Sequence, residues 1–429
     1  MLQSAGASYR QRLISIAGGS IGNVIEWFDF LSYSIFSIYF SKAFFPGSNM
    51  TVQLLNAAAI AAVGYVVRPA GSWLIGTVAD RHGRRVALSL AVAMMSLGSF
   101  IIAVTPTYAT IGIAAPIVLV AARLLQGFSM GGEAGTSATY LAEMAPEGKR
   151  GFFVGFVQVT VVLGQLLALG LMLLLQYVFL SPAQLDDWGW RIPFAVGGLL
   201  SVFALFLRRG IDETEAFIRT SEAPPRENLL VVLWRYRRQV LLSIGISVGG
   251  TVAFYSFTIY PQKYLVNTAG FARDQATLIT TLALVIYMFC QPLFGWLSDK
   301  LGRRPVMLVF GVGATVGTVP IMQALGSTHD PLVAFALILL ALLILSGFSA
   351  LHWLVKSELF PAEIRALGVG LPFAVISSIM GGTTEFVALR LKEAGHESAF
   401  FYYVSACAAV SLVTILLLPE TRRNSTLDR

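Results

Sequence analysis

Long apolar runs alternate with short polar segments along the whole chain, and twelve of these runs have the length of a membrane-crossing helix. A helix of about 20 apolar residues crosses a bilayer core of about 30 Å. Backbone polar groups in lipid must be hydrogen-bonded within a helix or a closed barrel, and runs this long exclude the barrel. The sequence therefore predicts an all-α membrane protein with twelve transmembrane helices, near residues 14–40, 53–79, 86–106, 110–143, 151–178, 190–208, 239–265, 275–298, 305–326, 331–359, 363–389 and 398–418.

The composition and the placement of charge agree with this interpretation. Hydrophobic residues make up 56% of the chain, charged residues make up 12%, and the net charge is +7. Most of the 30 Lys and Arg residues fall in loops on the same side as the N-terminus. Such an excess marks the cytoplasm, so we expect both termini there, in a bacterial inner (plasma) membrane. The basic charge then reports topology and not a nucleic-acid partner.

Two loop patterns occur twice at almost the same spacing. The first pattern lies at the end of the second run and in the loop that follows it. Its five residues recur 219 positions later: Gly76, Asp80, Gly83, Arg84 and Arg85 return as Gly295, Asp299, Gly302, Arg303 and Arg304. A second set recurs 215 residues later: Glu143, Pro146, Arg150 and Gly155 return as Glu358, Pro361, Arg365 and Gly370. An even number of helices separates the copies, so they have the same orientation, a plan known among secondary transporters.

The repeat predicts two six-helix bundles joined by a linker. We place the first bundle at residues 1–206, a cytoplasmic linker at 207–238 and the second bundle at 239–429. We expect the chain to be monomeric, with the lipid bilayer around it.

The repeated loops have a mechanical interpretation. Acids at helix ends, with arginines just beyond them, can clamp neighbouring helices in one conformation and release them in another. Plain positive-inside charge is the alternative, but it leaves the matched acids and glycines unexplained. We therefore expect an inter-helix clamp and gate made of Asp80, Arg81, Arg84, Arg85, Asp299, Arg303, Arg304, Glu143, Arg150, Glu358 and Arg365.

Several stretches resemble one protein family from end to end. The Asp-Arg-x-Gly-Arg-Arg loop is similar to the hallmark of the major facilitator superfamily, and the chain resembles its metabolite:proton symporter branch, in particular the keto-acid permeases. The resemblance implies two parallel six-helix repeats and transport of a small organic acid. It rests on GNVIEWFDF (22–30), RPAGSWLIG (68–76), ARLLQGFSMGGEAGTSATYLAE (122–143), WGWRIPFAVG (188–197), QKYLVNTAG (262–270), LFPAEIRALGVGL (359–371) and EFVALRLK (385–392).

Arg123 is the most informative residue because it falls near mid-membrane in the fourth run. An arginine there costs about 2.5–3.5 kcal/mol on insertion scales, so it normally faces a partner or a water-filled cavity. Helical spacing puts Gln126, Met130 and Glu133 on its face, with Arg123 and Glu133 roughly 15 Å apart. A structural ion pair with another helix is the alternative. We interpret this stripe as one wall of an anion-binding cavity.

Three acids are candidates for the coupling proton. Glu26 and Asp29 lie in the first run and Glu133 in the fourth, and a carboxylate buried in hydrocarbon is rarely without a role. Permanent neutralisation of an arginine is the alternative for Glu26 and Asp29. Arg68, just before Pro69, could bind substrate or pair with an acid of helix 1 or helix 4, and we favour the pair.

Further polar residues complete the candidate binding site. Tyr33, Gln165 and Tyr255 can donate hydrogen bonds at cavity depth without fixing charge, although interhelical bonding is an alternative. Lys356 is the basic residue we expect to be buried in the second bundle, either as a ligand for substrate, as the partner of Glu358, or snorkelling to the surface. Lys263 we count among the outer loop cations. Tyr260-Pro261 should break the seventh helix near its outer end.

Together these features predict a proton-coupled secondary transporter and not an enzyme. The sequence has no GxxxxGK[ST] loop for ATP and no metal or nucleophile constellation. We expect uptake of a dicarboxylate, with α-ketoglutarate implied by the resemblance. Citrate, shikimate or a zwitterion such as betaine or proline remain alternatives, as does a membrane receptor that binds an organic acid without moving it. No cofactor is expected; H⁺ is the expected coupling ion, with Na⁺ left open.

Overall fold

The computed structural model is helical throughout the part of the chain that it describes. Residues 9–47, 49–82, 84–130, 141–143, 145–208, 234–361 and 364–422 are described, with 425 and 427. The side chains of 9–20, 76, 79–82, 84, 85, 88, 204–208 and 366 are not. Glu133, residues 209–233 of the expected linker, and the side chains of Asp80, Arg81, Arg84 and Arg85 therefore lie outside the description.

The helices follow the order that the hydropathy pattern predicts. The first bundle holds α1 Tyr9–Phe44, α2a Met50–Val66, α2b Arg68–His82, α3 Arg84–Val104, α4a Tyr108–Ile111, α4b Ala114–Ser129, α5 Arg150–Leu174 and α6 Ile192–Arg208. The second holds α7a Arg237–Thr258, α7b Tyr260–Asn267, α8 Arg273–Leu301, α9 Arg303–Ser327, α10a Pro331–Ser349, α10b His352–Leu359, α11a Arg365–Ile376, α11b Gly382–Glu393 and α12 Glu397–Leu417.

These helices account for the twelve predicted spans. Within the described residues, eight helical segments are long and apolar enough to cross a membrane. Three shorter apolar helices, at 89–104, 114–129 and 189–203, occupy the places of the third, fourth and sixth spans, and α1 occupies the first. The fold class predicted from the sequence is confirmed.

Five of the spans are divided within the described residues, and three of these interruptions bear on the site. The second span breaks at Val67, just before Pro69, and the seventh breaks at Ile259, just before Pro261. A proline lacks the amide hydrogen and suits the first turn of a new helix. The eleventh span passes through a π-helical turn, Ser377–Gly381, before α11b begins. The break predicted at Tyr260-Pro261 is confirmed.

The two bundles meet through two equivalent pairs of helices. α5 of the first bundle packs along α8 of the second, and α2a packs against α11b. In the repeat, α5 corresponds to α11 and α8 corresponds to α2, so the same contact is made twice around a pseudo-twofold axis. We call the end of the molecule where α1 begins and α12 ends the inner end, and the opposite end the outer end.

Small residues let α5 and α8 approach closely at the inner end. A Cβ at Gly151 would lie 2.3 Å from the carbonyl oxygen of Gly295, and one at Gly155 would lie 2.9 Å from that of Gln291. Gly151 and Gly155 are four residues apart, the spacing that brings transmembrane backbones together.

We expect Gly151→Ala to destabilise this crossing because the added methyl group meets backbone atoms that cannot rotate away. Overpacking of this kind costs about 1–3 kcal/mol. Gly170→Ala is the matched control on the same helix, since a Cβ there meets nothing within 4 Å. Thermal unfolding of both purified variants in detergent would measure the effect, and equal melting temperatures would contradict it.

Candidate functional site

Arg123 is completely buried in α4b and keeps part of its hydrogen-bonding capacity unused. Its Nη1 donates to Oε1 of Gln126 at 2.8 Å and to the carbonyl oxygen of Phe30 at 3.4 Å. Its Cζ lies 4.1 Å from the centroid of the Phe30 ring and 4.7 Å from that of Tyr33. Nε and Nη2 have no partner in the described part of the chain. Gly64 makes room for them, since a Cβ there would lie 3.3 Å from Nε.

Arg68 is a second buried cation on the same aromatic ring. Its Cζ lies 4.4 Å from the Phe30 centroid and 4.4 Å from the Tyr65 centroid, and its Nη2 contacts the sulfur of Met130 at 3.3 Å. The expected pair with a helix 1 acid is not formed, and Glu133 of helix 4 lies outside the described residues. Among described residues neither guanidinium forms an ion pair, so the ring faces supply the nearest negative potential.

Asp29 is linked to Arg123 through one intervening side chain. Its Oδ2 accepts hydrogen bonds from Ser99 and from Nε2 of Gln126, the latter at 3.2 Å. Gln126 thus binds the arginine with its oxygen and the aspartate with its nitrogen. Oδ1 has no hydrogen-bond partner among the described groups, and it packs against Gly197, where a Cβ would lie only 2.1 Å away. Asp29 is therefore enclosed within the first bundle. Glu26 lies one turn earlier on α1 and is also buried.

A small cavity separates the two bundles beside these cations. It is barely large enough to hold one water molecule. Its lining comes from α1, α2a, the end of α7a with the break at Ile259, and the end of the π-helical turn with the start of α11b: Ser34, Ala58, Ala61, Tyr65, Tyr255, Ile259, Gly381, Gly382 and Glu385.

Tyr65 stands between the arginines and this cavity. Its ring meets Phe30 edge-on at 4.6 Å and Tyr255 of the other bundle at 5.3 Å. Gly382 packs directly on it, since a Cβ there would lie 2.2 Å from the Tyr65 Cβ. The sequence interpretation did not single out Tyr65. Its position three residues before Arg68, on the same helix face, was the available signal.

The other predicted orienting residues lie close to this interface. Tyr255 lines the cavity, whereas Tyr33 is fully buried and its hydroxyl has no partner in the described residues. Gln165 donates to the carbonyl oxygen of Thr258 at 2.6 Å, a bond from α5 to α7a across the two bundles. That bond falls at the residue before the α7 break.

Lys356 is fully buried in α10b among aromatic rings. Its Nζ lies 3.3 Å from Nδ1 of His352 and 4.5 Å from the Phe373 centroid, and His352 stacks on Phe348 at 4.6 Å. Neither alternative for Lys356 holds. It does not reach the surface, and Glu358 is bound by other residues. Its described polar and ring contacts all lie in α10 and α11, so it does not touch Arg123.

Lys263 corrects two expectations from the sequence. It is not an outer loop residue, because its side chain is wholly buried in α7b and forms an ion pair with Glu385 of α11b. Lys356 is therefore not the only buried basic residue of the second bundle. Glu385, to which the sequence assigned no role, lines the cavity and covers the lysine. Lys263 falls near the outer end of the predicted run 239–265, and α7b continues the span past it to Asn267.

The inner end is held by a cluster that we call the inner clamp: Asp299, Arg303, Glu358 and Thr421. Asp299 accepts from Arg303 at 2.7 Å and from the backbone amides of Gly151 and Phe152 at 2.8 and 2.9 Å. Arg303 also pairs with Glu358 at 3.2 Å, and Glu358 accepts from Thr421 at 2.5 Å. Asp299 thus joins the second bundle to the first backbone amides of α5, which have no acceptor within their own helix.

The second repeated motif joins the bundles, because its acid in one bundle interacts with its arginine in the other. Glu143 of the first bundle accepts from Arg365 of the second at 2.6 Å. The repeat counterparts of these residues are Glu358 and Arg150, and Arg150 acts electrostatically on Glu358. Arg304 instead donates to the carbonyl oxygen of Leu416 at 2.5 Å within its own bundle.

The outer end is closed by a separate set of contacts. Asp186, between α5 and α6, accepts from Lys42 at 2.6 Å and from Arg273 of the second bundle at 2.7 Å. Thr51 and Asn267 join α2a to α7b at 3.2 Å. Described contacts between the bundles therefore lie at both the inner and the outer end.

A matching family model covers almost the whole sequence. The model described as "Sugar (and other) transporter" matches residues 17–223 and 218–428. The chain belongs to this family.

Other members include several bacterial transporters that span nearly the whole chain. The α-ketoglutarate permease of Escherichia coli (strain K12) is 49% identical over 409 residues, 95% of this chain and 94% of that protein. A proline/betaine transporter of Escherichia coli is 33% identical over 95% of this chain and 83% of its own length. A citrate-proton symporter of Klebsiella pneumoniae is 30% identical over 97% of this chain and 94% of its own. The resemblance inferred from the motifs is confirmed.

Solved members of the superfamily share the fold at low identity. A D-xylose-proton symporter superposes with a TM-score of 0.76 at 20% identity, covering 96% of this chain and 98% of that one. A fucose:proton symporter of Escherichia coli superposes with a TM-score of 0.63 at 16% identity, covering 95% and 98%. The family is one of multi-pass membrane transporters.

We expect Asp299→Asn to open the inner end of this transporter. The amide removes the charge that Arg303 and the α5 amides share, and a hydrogen bond to a charged group contributes about 1.5–3 kcal/mol. Gln291 is buried near the α5–α8 crossing. In a background that lacks Cys290 and Cys407, Gln291→Cys would then react faster with a membrane-impermeant maleimide.

Asp330→Asn is the matched control for this test. Asp330 caps α10a by accepting from the Leu332 amide at 2.8 Å, and asparagine caps a helix equally well. Unchanged labelling in Asp299→Asn would show that the clamp does not hold the inner end.

Proposed function

We propose that this transporter imports α-ketoglutarate together with protons across a bacterial inner membrane, by alternating access between its two bundles. Both termini would lie in the cytoplasm, which makes the inner end the cytoplasmic end. The observation that carries the proposal is the pair of buried guanidiniums, Arg123 and Arg68, with no carboxylate partner among the described residues. The permease at 49% identity supports the choice of substrate.

The cations define what the site should bind. Arg123 would hold one carboxylate with Nε and Nη2, the atoms that now lack partners. Arg68 or Lys356 would lie near the other carboxylate. Tyr33, Gln165 and Tyr255 would orient the keto acid by hydrogen bonds. Tyr65 would have to move aside first, since it separates the arginines from the cavity.

Asp29 is the first-bundle acid best placed to couple the proton. It reaches Arg123 through Gln126, so a change in its charge alters the hydrogen bonds that position the guanidinium. Glu26 and Glu133 remain candidates for the same role. We propose H⁺ as the coupling ion, with Na⁺ as the alternative to test, and no bound cofactor. Among described residues no group of three His, Cys, Asp or Glu side chains could hold a metal.

A zwitterionic substrate fits these surroundings less well. Betaine, the named substrate of a 33% identical relative, carries a quaternary ammonium that favours open aromatic faces. Here Phe30, Tyr33 and Tyr65 already have guanidiniums over their rings. Citrate and shikimate keep the same anionic chemistry and belong in the same test. Counterflow would distinguish a carrier from a receptor that binds the acid without transporting it.

Charge arithmetic predicts how uptake should respond to gradients. Moving one charge against 100 mV costs about 2.3 kcal/mol, so a dianion entering a negative interior needs two protons to be electroneutral. Proteoliposomes should accumulate labelled α-ketoglutarate when the outside is acidified. When loaded with unlabelled α-ketoglutarate, they should show counterflow without any ion gradient. Uptake that ignores pH and follows sodium would overturn the proton coupling, and absent counterflow would overturn transport of this acid.

Arg123→Gln should lower kcat/KM for α-ketoglutarate by about 10- to 100-fold, because a hydrogen bond to a charged group contributes about 1.5–3 kcal/mol. Arg390→Gln is the matched control, since Arg390 lies at the outer end of α11b with its side chain 60% exposed. Initial rates of uptake, normalised to folded protein, give the comparison. Wild-type kinetics in Arg123→Gln would contradict a role for this guanidinium in binding.

A further inference from the structure

The ion pair between Lys263 and Glu385 belongs to none of the roles assigned above. The lysine side chain is fully buried, whereas the glutamate keeps 13% of its side chain exposed and lines the cavity. The carboxylate therefore covers the ammonium on the side from which a substrate would come. A cation hidden behind an acid at a substrate cavity can be exposed by a change in that acid alone.

Both partners lie just beyond a helix interruption. Lys263 is one turn past the break at Ile259, and Glu385 is one turn past the π-helical turn that ends at Gly381. Ile259, Gly381 and Gly382 all line the same cavity as Glu385. π-helical turns and helix breaks are common at functional sites, since they let a short segment move. The ion pair thus joins the two outer segments that follow these interruptions, α7b and α11b.

The neighbours of Glu385 do not neutralise it in any other way. Apart from Lys263, the described groups around it are tyrosines or belong to a separate pair. These titratable and charged groups are Lys263 and Tyr260 on α7b, Tyr255 on α7a, Tyr65 on α2a, Tyr33 on α1, and Glu397 of α12, which Lys392 binds at 3.2 Å. Protonation of Glu385 would therefore leave Lys263 as an uncompensated buried cation.

We propose that Lys263 is a second-bundle ligand for a substrate carboxylate, covered by Glu385 when that acid is ionised and released when it takes up a proton. The inference rests on the proposed import of a dicarboxylate. The proton comes from the outer solution, and it leaves towards the cytoplasm when the substrate departs and the ion pair forms again. Glu385 then carries a coupling proton in addition to the one held in the first bundle.

The arrangement explains how proton and substrate binding depend on each other. An ionised Glu385 competes with the substrate for the same ammonium, so substrate binds well only after the acid is neutralised. Conversely, substrate on Lys263 removes the positive charge that favours ionisation of Glu385. The same exchange loosens or restores the link between α7b and α11b, and so ties ligand binding to closure of the outer segments.

The test compares the pH dependence of α-ketoglutarate counterflow in reconstituted wild type, Glu385→Gln and Glu397→Gln. In wild type the affinity should fall as the outer pH rises. At acid pH, Glu385→Gln should bind α-ketoglutarate as tightly as wild type or more tightly. Its affinity should change with pH at least tenfold less than the affinity of wild type does. Under a proton gradient it should accumulate at least tenfold less substrate. Glu397→Gln, which breaks the neighbouring pair with Lys392, should behave as wild type.

A second comparison separates a functional pair from a structural one. Lys263→Gln/Glu385→Gln contains no unpaired charge, so it should fold even where a single change does not. We expect this double variant to bind α-ketoglutarate at least tenfold more weakly, with no pH dependence beyond that of Glu385→Gln. Wild-type affinity and pH dependence in the double variant, or in Glu385→Gln, would overturn the inference. Absence of counterflow in wild type would instead overturn the proposed function.

Discussion

Positive charge held in a low-dielectric interior, with no carboxylate partner among the described residues, is the constraint from which the other features of this site follow. Arg123 and Arg68 lie within 4.1 and 4.4 Å of one phenylalanine ring. A cation–π contact contributes about 0.5–2 kcal/mol, while inserting an arginine at mid-membrane costs about 2.5–3.5 kcal/mol. Each arginine lies over at least two rings, so these contacts are comparable in size to the cost of burial. Nε and Nη2 of Arg123 still lack hydrogen-bond partners among the described residues, and this unused capacity favours binding of an anion.

The two bundles share a fold but differ in the groups that surround their buried cations. The repeat is preserved where the bundles meet: α5 with α8, α2a with α11b, and the exchanged motif of Glu143 and Arg365. Equivalent contacts on both sides allow two rigid bundles to rock about a central site. The site itself is asymmetric, with arginines over aromatic rings in one bundle and Lys263 under Glu385 in the other. A keto acid with two unlike ends suits walls of unlike chemistry.

The sequence alone predicts the features that depend only on residues close together along the chain. Span length, the repeat and the break before Pro261 all follow from the local sequence, and each is present in the structure. The partners of buried charges are a different matter, since they depend on helices far apart in the chain. Lys263 lies 122 residues from Glu385 and only two residues before the outer end of its predicted run, so its burial depends on a partner that the local pattern does not show. Tyr65 was overlooked because aromatic residues are common in membrane helices.

The inner clamp shows why one contact between the bundles can open while the rest of the cluster stays intact. The bonds of Arg303 to Asp299 and Glu358 all lie within the second bundle, so they survive a rigid-body movement. The contact of Asp299 with the first bundle is made instead to the amides of Gly151 and Phe152. Amides at a helix start can be hydrated as they separate, and Asp299 keeps Arg303 as its partner. Opening therefore leaves no uncompensated buried charge at this point, whereas breaking a buried ion pair costs about 3–5 kcal/mol. At the junction of α8 and α9 the charges are thus paired within one bundle, and the contact that must separate is made to backbone that water can solvate.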